Sequence, residues 1–221
     1  MNILIIGASR GIGLEFARQY TQSGHRVIAT VRSDEGLQKI TALGAKALKL
    51  DVAKPESVSS LAWQLDGEKI DIAIYVAGIF GPRLAPLAPP TQDDFDAVMR
   101  ANVLGAMQVI PQLVDVLALE AKLAVISSRM GSIGLRESAG ASLYRASKAA
   151  LNSVLKDTSL AMQGKAICVS FHPGWVRTEM GGEGADISVE ESVRGMRQVM
   201  DQLQSKDNGS FINYDGQRLV W

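Results

Sequence analysis

Only one cysteine, Cys168, stands in 221 residues. No intrachain disulfide can form, so stability must come from a buried core rather than from cross-links. Histidine is nearly as scarce. His25 and His172 are far apart and lack ligand spacing, so no metal site is expected. Neither sign of charge is in excess: 23 Lys+Arg face 23 Asp+Glu, and the formal net charge is zero. That removes the electrostatic footprint of a nucleic-acid binder. No basic amphipathic stretch points to a membrane surface, and no apolar run approaches the ~18 residues of a membrane span. The opening MNILIIGAS has no positive n-region and is halted by Gly7, so it reads as a buried strand and not as a signal peptide. Asn208-Gly209-Ser210 matches a glycosylation sequon that stays idle without an export signal. A reducing, cytoplasmic setting is expected.

What is present is an alternation of apolar and amphipathic stretches. Residues 3–6, 26–30, 45–50, 70–76, 123–127, 166–171 and 210–213 read as seven strands. Most are apolar throughout, as parallel strands buried on both faces must be. Helical patterns lie between them, over 11–23, 34–43, 55–66, 92–118, 142–162 and 189–203, with Pro111 expected to kink the fourth. The alternation predicts an α/β fold: a doubly wound, seven-stranded parallel sheet with helices on both faces. With no repeat or linker, residues 1–221 are expected to form a single domain. The proline-rich 81–90 reads as a loop inside it. In such sheets ligands bind beyond the carboxyl ends of the strands.

The glycines of GASRGIG (7–13) follow the first strand and open the first helix. Gly7, Gly11 and Gly13 permit a tight turn and close backbone approach to a pyrophosphate, which the free N–H groups of the helix start would bind. Beyond the second strand, NAD sites usually carry an acid for the ribose 2′-OH. Here the chain reads ATVRS, with Arg32 and no acid before Asp34. An arginine suits a 2′-phosphate, and Arg10 in the glycine loop is within reach of the same group. NADP(H) is therefore expected over NAD(H), with Asp34 as a feature that could oppose it.

Tyr144 and Lys148 in SLYRASKAALNSVL share a helix face at i,i+4. The spacing alone fits a solvated surface pair as well as an acid with a perturbed pKa. Cys168 reads as a small buried hydrophobe inside the sixth strand.

Together, the glycine loop, its position and the Tyr-x-x-x-Lys pair resemble the short-chain dehydrogenase/reductase family over nearly the whole chain. Further motifs follow in family order: LDV (50–52), RANVLG (100–105), VISSRMG (125–131) and HPGWVRT (172–178). ATVR, HPGWVRTEMGG and the ending GSFINYDGQRLVW look most like the C-factor and Sniffer-type carbonyl reductases within it. There are departures. Tyr75-Val76-Ala77-Gly78 replaces the usual Asn-Asn-Ala-Gly, and Ser128 and Tyr144 are further apart than in many members. The extra residues fall in 129–142, where substrate choice is expected to reside.

The resemblance implies a Rossmann fold and reduction of a small aldehyde or ketone by NADPH. It implies Tyr144 as proton donor, with a pKa lowered toward neutrality by Lys148 and by the positive end of its helix. Lys148 would also hold the nicotinamide ribose. Ser128 would bind the substrate oxygen, and Asn102, through a bound water, would link Lys148 to solvent. For the cofactor it implies Gly7, Ser9, Arg10, Gly11, Ile12, Gly13, Arg32, Asp51, Val52, Ala77, Gly78, Tyr144, Lys148, Pro173, Gly174, Val176 and Thr178. Substrate loops are expected around 79–91, 129–142 and 175–190. Phe80, Met130, Leu135, Trp175 and Met180 read equally as pocket wall or core, and 178–188 as a lid or an ordinary loop. Two further functions stay open: an NADP(H)-binding signalling protein of the C-factor type, and a 3-oxoacyl thioester reductase. Pairing of the helices at 92–118 and 142–162 across a two-fold axis would give a homodimer, or a tetramer built from it. A small carbonyl or alcohol is the expected partner, with no nucleic acid and no membrane.

Overall fold

The structure is a computed structural model that describes all 221 residues. In chain order the elements are β1 (Asn2–Ile6), α1 (Gly11–Gln22), β2 (Arg26–Val31), α2 (Asp34–Ala42), β3 (Lys46–Lys49), α3 (Pro55–Val58), α4 (Leu61–Gln64) and β4 (Ile70–Tyr75). There follow α5 (Gln92–Met99), a π turn (Arg100–Leu104), α6 (Gly105–Leu113), β5 (Leu117–Ile126), a 3₁₀ turn (Arg129–Gly131), α7 (Ser142–Ala161) and β6 (Ala166–His172). After α8 (Val189–Gln202) and a second 3₁₀ turn (Ser205–Asp207) come β7 (Ser210–Asn213) and β8 (Arg218–Leu219).

The strands form one sheet in the order β3-β2-β1-β4-β5-β6-β7-β8. Each of β1 to β7 runs parallel to its neighbours, and β8 is antiparallel to β7. In β1, Leu4 and Ile6 enter a core with Leu61, Val109, Leu151 and Leu155. Ile3 and Ile5 enter a second core with Phe16, Ile40, Met196 and Met200. Two buried faces explain why the strand is apolar at every position. Each fully buried side chain of this kind stabilises by about 1.5–3 kcal/mol. No helix is long and apolar enough to cross a membrane.

The structure differs from the sequence reading in three places. The sheet has eight strands, not seven. Its last strand is two residues long, too short to show alternation, and is entered through the Asp215-Gly216 turn closed by Asn213 and Gln217. The helix expected over 55–66 breaks into α3 and α4. Ser59 and Ser60 between them turn their hydroxyls onto the carbonyls of Glu56 and Ser57, a local alternative to helix bonding. The long helix expected over 92–118 ends at Leu113, and β5 begins at Leu117, with a register shift against β4 and Glu120 at φ 61°. A continuous apolar run there carries no period that separates helix from strand. Pro111 lies within α6, and the departure from α winding occurs upstream, at Arg100–Leu104.

Candidate functional site

A cleft of about 380 Å³ opens beyond the carboxyl ends of the central strands. Gly7, Ser9, Arg10, Gly11 and Ile12 form one wall, and Arg32, Asp51 and Val52 a second. Ala77, Gly78, Tyr144, Lys148, Pro173 and Thr178 complete it. Gly13, Asn102, Ser128, Gly174 and Val176 are not part of this lining. A wider polar groove of about 840 Å³ between α8 and the β7–β8 edge holds none of the candidate catalytic or cofactor residues.

The glycine loop is shaped by close packing. A Cβ on Gly13 would stand 2.1 Å from the Gly7 carbonyl oxygen, so only glycine lets α1 start directly against β1. The N-caps of α2, α5 and α8 are Ser33, Thr91 and Ser188, whose hydroxyls accept helix N–H bonds. The N-cap of α1, Arg10, is extended and supplies no such bond. The first N–H groups of α1 therefore face the cleft without a side-chain acceptor, as a pyrophosphate site requires.

Arg32 makes no ion pair with the protein. Asp34, which could have claimed it, is paired to Lys49 at 2.8 Å. Arg10 is paired to Glu179 across the cleft mouth. Asp51 turns one carboxylate oxygen to the Ala53 N–H at 3.1 Å.

Tyr144 is the third residue of α7, and Ala141 before the helix is left-handed at φ 48° with no capping side chain. Tyr144 and Lys148 lie on one face and are both buried. Lys148 Nζ donates to the Ile126 carbonyl at 2.8 Å and stands 5.8 Å from the Tyr144 ring centre. Phe80 stacks on that ring at 4.5 Å. Ser128 Oγ accepts from the Met130 N–H at 3.1 Å, which leaves its own proton to donate. The same hydroxyl favours the ionised form of Tyr144.

Burial nevertheless dominates. It pushes the Tyr144 phenol up to about 12 and the Lys148 ammonium down to about 8. The lowering of the Tyr144 pKa expected with the cofactor's charge in place is not seen in the protein alone. In the protein alone the lysine is itself desolvated, and its hydrogen bond goes to a carbonyl rather than to the phenol.

Asn102, fully buried in the π turn, spends both amide protons, on the Ile79 carbonyl at 2.8 Å and on Ser147 Oγ at 2.9 Å. Its Oδ1 accepts from the Ile79 N–H at 2.7 Å. It thus ties the start of the 79–91 loop to α7. Tyr75 replaces the expected asparagine and donates its hydroxyl to the Ala101 carbonyl of the π turn. Val76 lies at the cleft edge.

Sequence reasoning missed three residues here. Thr30 Oγ1 accepts from the Gly7 N–H at 3.0 Å, Ser147 anchors Asn102, and Glu179 pairs Arg10. None carries a local signal, because each partner is distant in sequence. Of the candidate wall residues, Phe80 packs on Tyr144 and Met180 lines the cleft, while Trp175 is largely exposed. Its indole N–H closes the 175–181 turn on the Gly181 carbonyl at 2.9 Å.

Comparison with known proteins agrees with this geometry. The chain is 36% identical to C-signal of Myxococcus xanthus over 155 residues, which is 69% of this chain and 93% of that one. The carbonyl reductase Sniffer of D. melanogaster superposes with a TM-score of 0.92 at 27% identity, over 100% of this chain and 99% of that one. A carbonyl reductase from Pseudomonas aeruginosa, in complex with NADP, superposes at 0.86 and 33% identity with the same coverage. Residues 1–188 match the short chain dehydrogenase family along most of the fold just described. The chain belongs to that family of oxidoreductases, which use a nicotinamide cofactor.

Proposed function

We propose that the protein reduces a small aldehyde or ketone to the alcohol, with NADPH as its cofactor. Tyr144 and Lys148 in the wall of the glycine-loop cleft, with the Ser128 hydroxyl against Tyr144, carry this reading. The first N–H groups of α1 and the unpaired Arg32 would hold the pyrophosphate and the 2′-phosphate. Lys148, which lines the cleft, would hold the ribose. When bound, the reduced nicotinamide supplies a hydride to the carbonyl carbon.

The protein's own residues handle the oxygen. Ser128 donates to it and orients it. Tyr144 gives it the phenolic proton, and a phenol held protonated by burial is in the correct state to do so. Lys148 stabilises the charge left on the tyrosine oxygen, and Asn102, through a bound water, would link Lys148 to solvent for proton resupply. The exposed Phe95, Leu104 and Met107 on α5, the π turn and α6 support pairing of this face with a second copy. The single buried Cys168 suits a reducing, cytoplasmic setting.

The likeness to C-signal supports a second reading, in which NADP(H) binding serves signalling. One experiment separates the two. NADPH oxidation is followed against a panel of aldehydes, ketones, quinones and acyl thioesters, with wild type and Tyr144→Phe. Turnover that falls about 10²–10⁴-fold in Tyr144→Phe supports the reductase. Tight NADPH binding with no turnover on any substrate supports the signalling protein. Turnover on acyl thioesters alone would move the substrate class to lipid precursors.

A further inference from the structure

The segment that follows Ser128 is held from two directions. On one side the turn Arg129–Gly131 lies on α7. A Cβ on Gly131 would stand 2.8 Å from the Lys148 carbonyl carbon and 2.9 Å from its oxygen, so this backbone meets the helix at the lysine itself. On the other side the segment is bonded to the last residues of the chain. Ser132, fully buried, donates its hydroxyl to the Val220 carbonyl at 2.8 Å. The same Oγ accepts from the Leu135 N–H at 3.0 Å. The Gly134 N–H donates to the Trp221 main-chain oxygen at 3.1 Å.

The 218–221 segment is itself fixed. The Trp221 ring stacks on Phe211 of β7, with centres 5.4 Å apart and planes at 19°. Arg218 donates to Ser210 Oγ at 2.6 Å and pairs with Asp207. β8 joins the sheet edge. The contacts therefore run without a break from the sheet edge through Trp221 and Val220 to Ser132 and Gly134, and from there to Ser128. Beyond Leu135 the segment is largely exposed up to α7.

We propose that the Val220–Trp221 tail is a brace that positions the turn after Ser128 and thereby selects which carbonyl substituents the enzyme accepts. This rests on the carbonyl-reductase reading above. Neither Val220 nor Trp221 lines the cleft. Its residues position Ser128 and the 132–135 backbone, and a shift of about 1 Å at such a support costs rate up to about 10²-fold.

The test uses the full chain with Trp221→Ala, Trp221→Phe and Ser132→Ala. Amide hydrogen exchange reports the brace without any turnover. Gly134 and Leu135 are expected to be protected in wild type. Gly134 loses protection in Trp221→Ala and Leu135 in Ser132→Ala, with the central strands unchanged and with Trp221→Phe restoring protection. In turnover, Trp221→Ala is expected to change the ratio of kcat/KM between bulky and small carbonyls by about tenfold while NADPH affinity stays within about twofold. Unchanged exchange at Gly134 and an unchanged ratio would overturn the brace. So would a loss of protection spread across the whole sheet, which marks a merely structural role. A wild type that turns over no carbonyl, yet shows the localised exchange change, overturns the reductase reading and leaves the brace standing as a mechanical element.

Discussion

The Lys148 ammonium stands 5.8 Å from the centre of the Tyr144 ring and gives its hydrogen bond to the Ile126 carbonyl, not to the phenol. Both groups are buried, and both are held toward their neutral forms. The pair is thus a proton-loaded acid beside a cation kept at a cost. Strain of this kind is retained at functional sites at the expense of stability.

That cost has a pH signature. Lys148 is lowered from an ordinary 10.5 to about 8 by burial. Between those values the unfolded chain carries a proton that the native chain does not, so native stability rises with pH through this window. Below pH 8 the penalty is present in full. Wild type should therefore gain about 3 kcal/mol relative to Lys148→Met between pH 8 and 10.5. Urea unfolding of both proteins at several pH values measures the difference. A constant gap would mean that Lys148 is not desolvated as the structure shows.

Arg32 is the free cation at the end of β2, and Lys49 has already neutralised Asp34. A charge-assisted hydrogen bond is worth about 1.5–3 kcal/mol. Arg32→Ala should lower the preference for NADPH over NADH by about 10- to 150-fold, read from the two dissociation constants. Lys49→Ala should act in the same direction but more weakly, because it releases Asp34 to face Arg32. An unchanged ratio in Arg32→Ala would remove the phosphate role.

Asn102 makes three hydrogen bonds, two to Ile79 and one to Ser147. Asn102→Leu keeps the volume and strands the Ile79 main-chain groups. Each buried group left unsatisfied costs about 1–3 kcal/mol. Thermal unfolding should show a loss of at least about 2 kcal/mol, and kcat should fall with it because the 79–91 loop carries Phe80 onto Tyr144. A stable Asn102→Leu with full activity would mean that the strut is dispensable.

The site was legible in the sequence wherever its residues are tied by short range. Gly7, Gly11 and Gly13 follow a strand and open a helix, and Tyr144 and Lys148 are one helical turn apart. Those patterns locate the cleft. What stayed hidden depends on partners far along the chain. Ser132 meets Val220 across 88 positions, and Arg10 meets Glu179 across 169. Such pairings leave no period in a sequence. The broken helix at Ser59-Ser60 and the two-residue β8 were missed for another reason: each is shorter than the window over which periodicity declares itself. The upward shift of Tyr144 in the protein alone has no signature in the sequence, because burial, its largest cause, is a property of the packed fold.

Arg10 and Glu179 raise the last prediction. Glu179 belongs to the segment after Thr178, and its pairing with Arg10 draws that segment over the glycine loop. Both side chains are largely exposed, at 63% and 73%, so the pair is worth no more than about 1 kcal/mol. An incoming phosphate must compete with the Glu179 carboxylate for the same guanidinium. Glu179→Gln removes the charge that competes while keeping the side chain's size. NADPH should then bind up to about fivefold tighter at low ionic strength, and the advantage should shrink as salt screens the pair. Arg10→Ala should weaken NADPH binding and make the Glu179→Gln substitution neutral, since the two residues share one interaction. Titration calorimetry of the two single variants and the double variant at two salt concentrations measures this coupling. Strictly additive effects would show that Glu179 acts on the cofactor without passing through Arg10.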